Sequence, residues 1–359
     1  MFWRRKPEPL RSAPEPAAMP GRAWPPRILV ACDRFVMRGG LLRFERFGRS
    51  VRLFGGEMAW LQLGEGGDPA WRSDFPALSF DAAAAARWDA TMVPGAGFPD
   101  RTVRAFSRLR APQFGVRVQH VLNDPTRLDG FVKVNRAFEP DLVVFNNRHF
   151  DAGQAARLPA PRQAVLEGAV DLDAFAPAPF KRAPAAQQAP MIGGLANKNF
   201  ASVVEALALL PGHVRARAIG TASDELRALA DARAPGRVVF DGVVPESALP
   251  DFLRAVDVVA HVETTAGWAN IVAEALASGA PVVATRAGTL SLVESDVTGL
   301  SLDAPTPAAI AAAVGRLLAE PDLAPRLAAA GRAHVLRFGW TTYARAMLDL
   351  CLGPREATA

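Results

Sequence analysis

Cysteine is nearly absent from this 359-residue chain, which has only Cys32 and Cys351. Two thiols cannot build a disulfide framework or a Cys-rich zinc site, so a reducing cytoplasm is the expected compartment. Lysine is scarce as well: Lys6, Lys133, Lys181 and Lys198 are the only four among 41 basic residues. No apolar run approaches the roughly 18 residues that span a bilayer. The opening Met1-Phe2-Trp3-Arg4-Arg5-Lys6 runs into prolines with no apolar segment behind the charges, so a secretory leader is not expected. Neither cysteine has an adjacent histidine, and no Gly-x-Ser-x-Gly elbow, Walker loop or Gly-x-Gly-x-x-Gly after the first strand is present. Nucleophilic hydrolases, P-loop NTPases and dinucleotide dehydrogenases lose their signatures.

Half of the chain is apolar and 21% is charged, so it can bury sizeable cores. Its length suits two domains of about 150 to 180 residues. The net charge of +5 and pI of 9.8 come from arginines scattered among acids, without the aromatic interleaving of single-strand binders. A nucleic-acid partner is not expected. Weak peripheral attraction to an anionic membrane surface stays open.

Residues 1–26 hold seven prolines and five basic residues against two glutamates and read as a disordered tail. From 27 onward, short apolar runs alternate with helical stretches: strands are expected near 27–31, 57–61, 89–93, 115–120 and 141–145, with a helix from Gly39-Gly40 to about 54. The periodicity stops at 168–175, and an Ala/Pro/Gln-rich stretch to 190 reads as a linker. The scheme then restarts, with strands near 190–193, 214–219, 237–240, 257–262 and 281–285 and helices between and after them. The expected fold is therefore α/β, two Rossmann-like doubly wound parallel-sheet domains facing across a cleft. Residues 27–175 are expected to form the N-terminal domain, 176–340 the C-terminal domain, and 341–359 a helix returning to the first.

Ligands of open parallel sheets bind beyond the carboxyl ends of the strands. After the strand near 257–262, Gly267 permits close backbone approach, and the following helix offers unpaired amides and a positive dipole end suited to phosphate. Asn270 and Glu274 share one helix face with Gly267, so a carboxylate there can take ribose hydroxyls while amides hold a diphosphate. Lys198, in the turn Gly193-Gly194-Leu195-Ala196-Asn197-Lys198-Asn199, can neutralise a leaving diphosphate as a point charge. The alternative for Lys198 is a surface lysine near a helix start. Gly39-Gly40 can approach the same ligand by backbone or serve simply as a tight turn. Asp171 and Asp173 read as turn formers in a hinge, and Asn146 and Asn147 as cleft residues without an assigned role.

These residues resemble retaining glycosyltransferases of family 4, which have the GT-B fold. Gly267-Trp268-Ala269-Asn270, Glu274-Ala275-Leu276-Ala277-Ser278-Gly279, Ala280-Pro281-Val282-Val283-Ala284-Thr285 and Thr298-Gly299-Leu300 carry the likeness. Gly193-Gly194-Leu195 with Lys198-Asn199 is similar to that family's phosphate turn, the segment 168–175 to its linker, and Gly39-Gly40 to its N-terminal glycine loop. The resemblance implies transfer of a sugar from a nucleoside diphosphate sugar to a glycan or lipid-linked acceptor, with retention, as in cell-envelope polysaccharide synthesis in bacteria. It implies no cofactor and no essential metal, in keeping with the lack of a His/Cys ligand cluster or a suitable Asp-x-Asp. Donor contacts would come from Gly39, Gly40, Gly194, Lys198, Gly267, Trp268, Ala269, Asn270 and Glu274, with His120 facing the donor sugar. The alternative for His120 is a satisfied histidine at a strand end.

Two positions depart from the pattern. Ala266 stands where the family has the first acid of a Glu pair, and Glu263, three residues earlier, is the candidate replacement. Gly194 stands where an arginine is common, with Arg43 and Arg286 as candidate substitutes. These departures keep a non-catalytic GT-B-like nucleotide-sugar-binding or scaffold protein as the rival reading, and a nucleotide-sugar epimerase as a third.

Overall fold

The computed structural model describes residues 25–36, 39–69, 71–177 and 189–353. All but the last two residues of the expected 1–26 tail, and 178–188 of the expected linker, lie outside them. The chain divides into two units: one holds residues up to Gly168 together with those from Trp340 onward, the other Ala169–Gly339.

The first unit is built on β1 (Arg27–Cys32), α1 (Gly39–Leu53), β2 (Glu57–Gln62), β3 (Ala77–Leu78), α2 (Phe80–Ala84), β4 (Ala90–Pro94), α3 (Asp100–Phe106), β5 (Val116–Val121), α4 (Leu128–Phe138), β6 (Leu142–Phe145), α5 (Ala152–Ala156) and β7 (Arg162–Val165). Its seven strands are all parallel, in the order β3-β2-β1-β4-β5-β6-β7. The central runs Ile28-Leu29-Val30-Ala31 and Leu142-Val143-Val144-Phe145 are buried without alternation, because helices cover both faces of the sheet. Trp60, Phe106, Phe114, Phe131, Phe138 and Phe145 are almost wholly enclosed, each adding about 1.5–3 kcal/mol by burial.

The second unit contains β8 (Met191–Leu195), α6 (Phe200–Leu207), β9 (Arg215–Ile219), α7 (Asp224–Arg233), β10 (Val238–Gly242), α8 (Leu249–Ala255), β11 (Val258–His261), α9 (Asn270–Ala277), β12 (Val282–Thr285), β13 (Leu300–Leu302), α10 (Pro307–Ala319) and α11 (Leu323–Val335). Its six parallel strands run β10-β9-β8-β11-β12-β13. Caps mark where its helices start: Ser223 accepts from Leu226 N ahead of α7, and Thr306 accepts from Ala309 N ahead of α10, with Pro307 in the first turn. The last helix, α12 (Trp340–Leu352), packs on α1 in the first unit.

Residues 169–175, placed with the N-terminal domain by the sequence pattern, pack in the second unit. Val170 N donates to Phe338 O at 2.9 Å, Val170 pairs with Gly339, and Phe175 is buried in the second core. Trp340 conversely belongs to the first unit. Asp171 is a turn former, its carboxylate accepting from Asp173 N and Ala174 N at 3.2 and 3.0 Å.

Gly115 sets the entry to β5. Its φ is +66°, and a Cβ there would lie 2.3 Å from the carbonyl oxygens of both Trp88 and Asp89. That approach lets Val116 N donate to Asp89 O at 2.9 Å and starts the strand that carries His120. Gly115→Ala is expected to cost at least about 2 kcal/mol in urea unfolding, combining strain with backbone overlap. A loss below about 0.5 kcal/mol would contradict this geometry.

Candidate functional site

In the second sheet the chain winds outward from β8 to β9 on one side and from β11 to β12 on the other, so the carboxyl ends of β8 and β11 form a topological switch point. Lys198 comes from the turn after β8 and Glu263 from the loop after β11. Their side chains meet there, Nζ to Oε2 at 3.0 Å. Asn199 takes a left-handed conformation (φ 52°) at the start of α6, and its Nδ2 donates to Val262 O at 2.8 Å, fixing one loop to the other. Thr285 at the end of β12 donates its hydroxyl to the backbone oxygen of Glu263. Three strand ends thus hold one lysine–carboxylate pair. Lys198 is 43% exposed in its side chain, so the pair is worth less than about 1 kcal/mol to stability. A diphosphate brings more negative charge than one carboxylate and would compete for this ammonium.

His261 closes β11 and is buried. Burial, with the charge of Lys198 adding to it, pushes its pKa down to about 4 against a backbone hydrogen bond at Ala287. The imidazole is therefore neutral at pH 7, and its Nε2 has no partner among the described residues. Sequence reasoning missed His261. Its signal was a polar residue ending an otherwise apolar strand. Gly288 was also missed: a Cβ there would meet Ala266 Cβ and Ala269 N at 3.0 Å, so glycine lets the loop after β12 lie against 266–269.

Several expected donor contacts are placed differently. Gly194 lies inside β8, one residue before its end, where a Cβ would meet Phe200 at 2.8 Å and Ala260 O at 3.1 Å. Its role there is close packing of α6 on the sheet, and the turn proper begins at Ala196. Ala269 N donates to Gly288 O at 3.0 Å and Asn270 N to Trp268 O at 3.1 Å, so neither amide is held open for a ligand. Trp268 packs on Phe338 with ring centroids 5.0 Å apart, and its Nε1 has no partner among the described residues. Gly267 precedes α9 in the same loop, and Glu274 is buried within that helix at 5% exposure.

In the first sheet the switch point falls between β1 and β4. Gly39 and Gly40 open α1, and a Cβ on Gly40 would meet Leu122 Cδ1 at 3.1 Å, so the turn approaches the end of β5 closely. His120, in β5, is wholly buried. Its Nε2 lies 2.8 Å from the hydroxyl of Tyr343 in α12, and Phe44 meets its ring edge-on at 5.5 Å. Burial, aided by the Arg43 charge, holds its pKa well below 6.5. Asn146 and Asn147 tie the loop after β6 to Leu122 O and Asn123 O at 2.7 and 3.0 Å. No group of three or more His, Cys, Asp or Glu side chains suited to a metal ion occurs among the described residues.

Comparison with known proteins follows this division. Residues 187–320, most of the second unit, match the family described as glycosyl transferases group 1. A D-inositol 3-phosphate glycosyltransferase of Xylanimonas cellulosilytica is 41% identical over 156 residues, covering 41% of this chain and 37% of that protein. The enzyme of the same name from Streptomyces griseus is 36% identical over 114 residues, 32% of this chain and 24% of that one. The chain thus matches 24% to 37% of the length of these relatives. Among solved structures, Anabaena Alr3699/HepE in complex with UDP and glucose superposes with a TM-score of 0.74 at 19% identity, over 90% of this chain and 98% of that one. The chain has the GT-B fold. Sucrose-phosphate synthase from Thermosynechococcus elongatus (TM-score 0.71, 18% identity, 90% and 98%) shares this GT-B architecture. So does the lipopolysaccharide glycosyltransferase WaaG (0.69, 14%, 91% and 100%).

The two buried histidines make acid sensitivity predictable. A folded pKa below the unfolded value of about 6.5 leaves stability full above pH 6.5; it falls as the pH drops toward the folded pKa, because the unfolded chain takes up the proton first. For His261 the window runs from 6.5 down to about 4. Between pH 8 and 5 it is expected to cost about 2 kcal/mol. Urea unfolding at those two pH values should show a shallower loss in His261→Gln; equal slopes in variant and parent would contradict the buried neutral state.

Proposed function

We propose that this protein is a retaining glycosyltransferase of family 4 that moves a sugar from a nucleoside diphosphate sugar to a glycan or lipid-linked acceptor. Its setting would be cell-envelope polysaccharide synthesis in a bacterial cytoplasm, with weak peripheral contact at the inner membrane face. No described helix is long and apolar enough to cross a membrane. The observation that carries the reading is the Lys198–Glu263 pair at the switch point of the unit that matches the glycosyltransferase family. The donor would occupy the second unit and the acceptor the first. The structural neighbours' complexes with UDP and UDP-glucose support a nucleotide-sugar donor, and the relatives' names support an enzyme over a non-catalytic scaffold.

In this reaction the bond from the anomeric carbon to the diphosphate breaks, and negative charge develops on the leaving phosphate. Lys198 meets that charge as a fixed ammonium, and the positive ends of α6 and α9 add to it. No metal is needed in this scheme. Displaced from Lys198 by the diphosphate, the Glu263 carboxylate becomes available to a sugar hydroxyl, the task left open by Ala266. Glu274 serves the ribose.

Glu263→Gln keeps an acceptor for Lys198 and removes only the charge. It is expected to lower kcat about 10²–10³-fold while the nucleoside diphosphate that stabilises the parent stabilises the variant as well. Unchanged turnover would remove Glu263 from the chemistry. Lys198→Ala should instead abolish most thermal stabilisation by whichever of UDP, GDP, ADP or dTDP the parent binds. Equal stabilisation in this variant would contradict the lysine's role.

A further inference from the structure

Arg43 lies one turn into α1 and is only 6% exposed. Burial lowers its pKa, yet a guanidinium remains a cation at neutral pH. A charge taken out of water costs several kcal/mol unless a partner offsets it. No carboxylate pairs with Arg43 among the described residues; its guanidinium carbon lies 6.0 Å from the ring centroid of Tyr343, which burial keeps neutral, and the charge of Arg46 beside it is another cation's. Glu45, two residues on, is already engaged by Trp60 Nε1 at 2.7 Å, by Asp74 N at 3.2 Å and by the hydroxyl of Ser73.

The guanidinium only donates, so the hydroxyl of Tyr343, the chain's one tyrosine, accepts from it. That hydroxyl also lies 2.8 Å from His120 Nε2, donating to it or accepting from it according to the histidine tautomer. A neutral His120 accepting at Nε2 carries its own proton on Nδ1. The two atoms of the cluster with no partner among the described residues are Arg43 Nη1, which can only donate, and His120 Nδ1, which donates in this tautomer. They stand at the carboxyl-end side of the first sheet, on the helix after β1 and on β5, flanking the β1/β4 switch point where parallel sheets receive ligands. A buried guanidinium with an unmet N–H is offset best by an oxyanion, through a charge-assisted hydrogen bond.

We infer that Arg43, braced by Tyr343 and His120, binds a phosphate or carboxylate group carried by the substrate of the first unit. Under the transferase reading that substrate is the acceptor, which is then an anionic molecule. The anion binding itself does not rest on that reading.

The test is thermal unfolding at fixed ionic strength with sodium chloride, inorganic phosphate, acetate, glucose 6-phosphate and UDP, for the parent and for Arg43→Met. The variant should fold, because it removes an unpaired buried charge, and should melt at least as high as the parent in chloride. The parent should gain stability with inorganic phosphate, or with acetate where a carboxylate is the group taken. Glucose 6-phosphate matching or exceeding inorganic phosphate marks a substrate phosphate rather than the free ion. Arg43→Met should bind each anion at least tenfold more weakly and keep its response to UDP. Tyr343→Phe, which leaves the charge but removes its brace, should weaken the same anions and provides the readout if Arg43→Met fails to fold. Equal anion stabilisation in parent and variants would overturn the inference, as would no response of the parent to any anion. Loss of the UDP response in Arg43→Met would overturn it too, by assigning the arginine to the donor.

Discussion

A lysine held 3.0 Å from a carboxylate at the strand ends of the second sheet is the interaction around which that unit is arranged. β8 and β11 must be neighbours for the two loops to meet, and β8 must lead outward to β9 while β11 leads to β12. Asn199, Thr285 and Gly288 then act on loop position rather than on chemistry: one bonds the carbonyl beside Glu263, one bonds its own carbonyl, and one clears room for the loop after β12. The pair adds too little to stability to explain so much local support. Its exposure and its charge suit a ligand that replaces one partner.

The first unit handles polar groups differently. Arg43, His120 and Tyr343 are buried together, and α12 supplies the tyrosine that links the other two. The C-terminal helix is therefore part of the polar interior of the first unit as well as of its packing on α1. Here desolvation raises the cost of every unmet hydrogen bond, and the unmet N–H of the Arg43 guanidinium carries information that the sequence spacing does not.

The alternation of apolar runs and helical stretches was enough to read the doubly wound plan, since β1, β4, β6, β11 and β12 are buried on both faces and show it as mainly apolar runs. Strands β3, β7 and β13 escaped notice because they are two to four residues long; Ala77-Leu78 and Arg162-Gln163-Ala164-Val165 are at edges, where polar residues are tolerated. At the site, Lys198 was legible because lysine is rare, and Glu263 because a family acid is missing at Ala266. Gly194 misled: glycine marks close approach of anything, and here the neighbour is Phe200. The Arg43–Tyr343–His120 chain joins residues 300 positions apart from first to last, and no local pattern announces it.

The most direct test is release of nucleoside diphosphate by the purified chain from UDP-, GDP-, ADP- and dTDP-linked sugars, followed over time with and without EDTA. The account predicts slow release from donors sharing one base, unaffected by the chelator and much reduced in Lys198→Ala. No release from any donor, with stabilisation by a nucleotide intact, would contradict a transferase and leave a nucleotide-sugar-binding protein in its place.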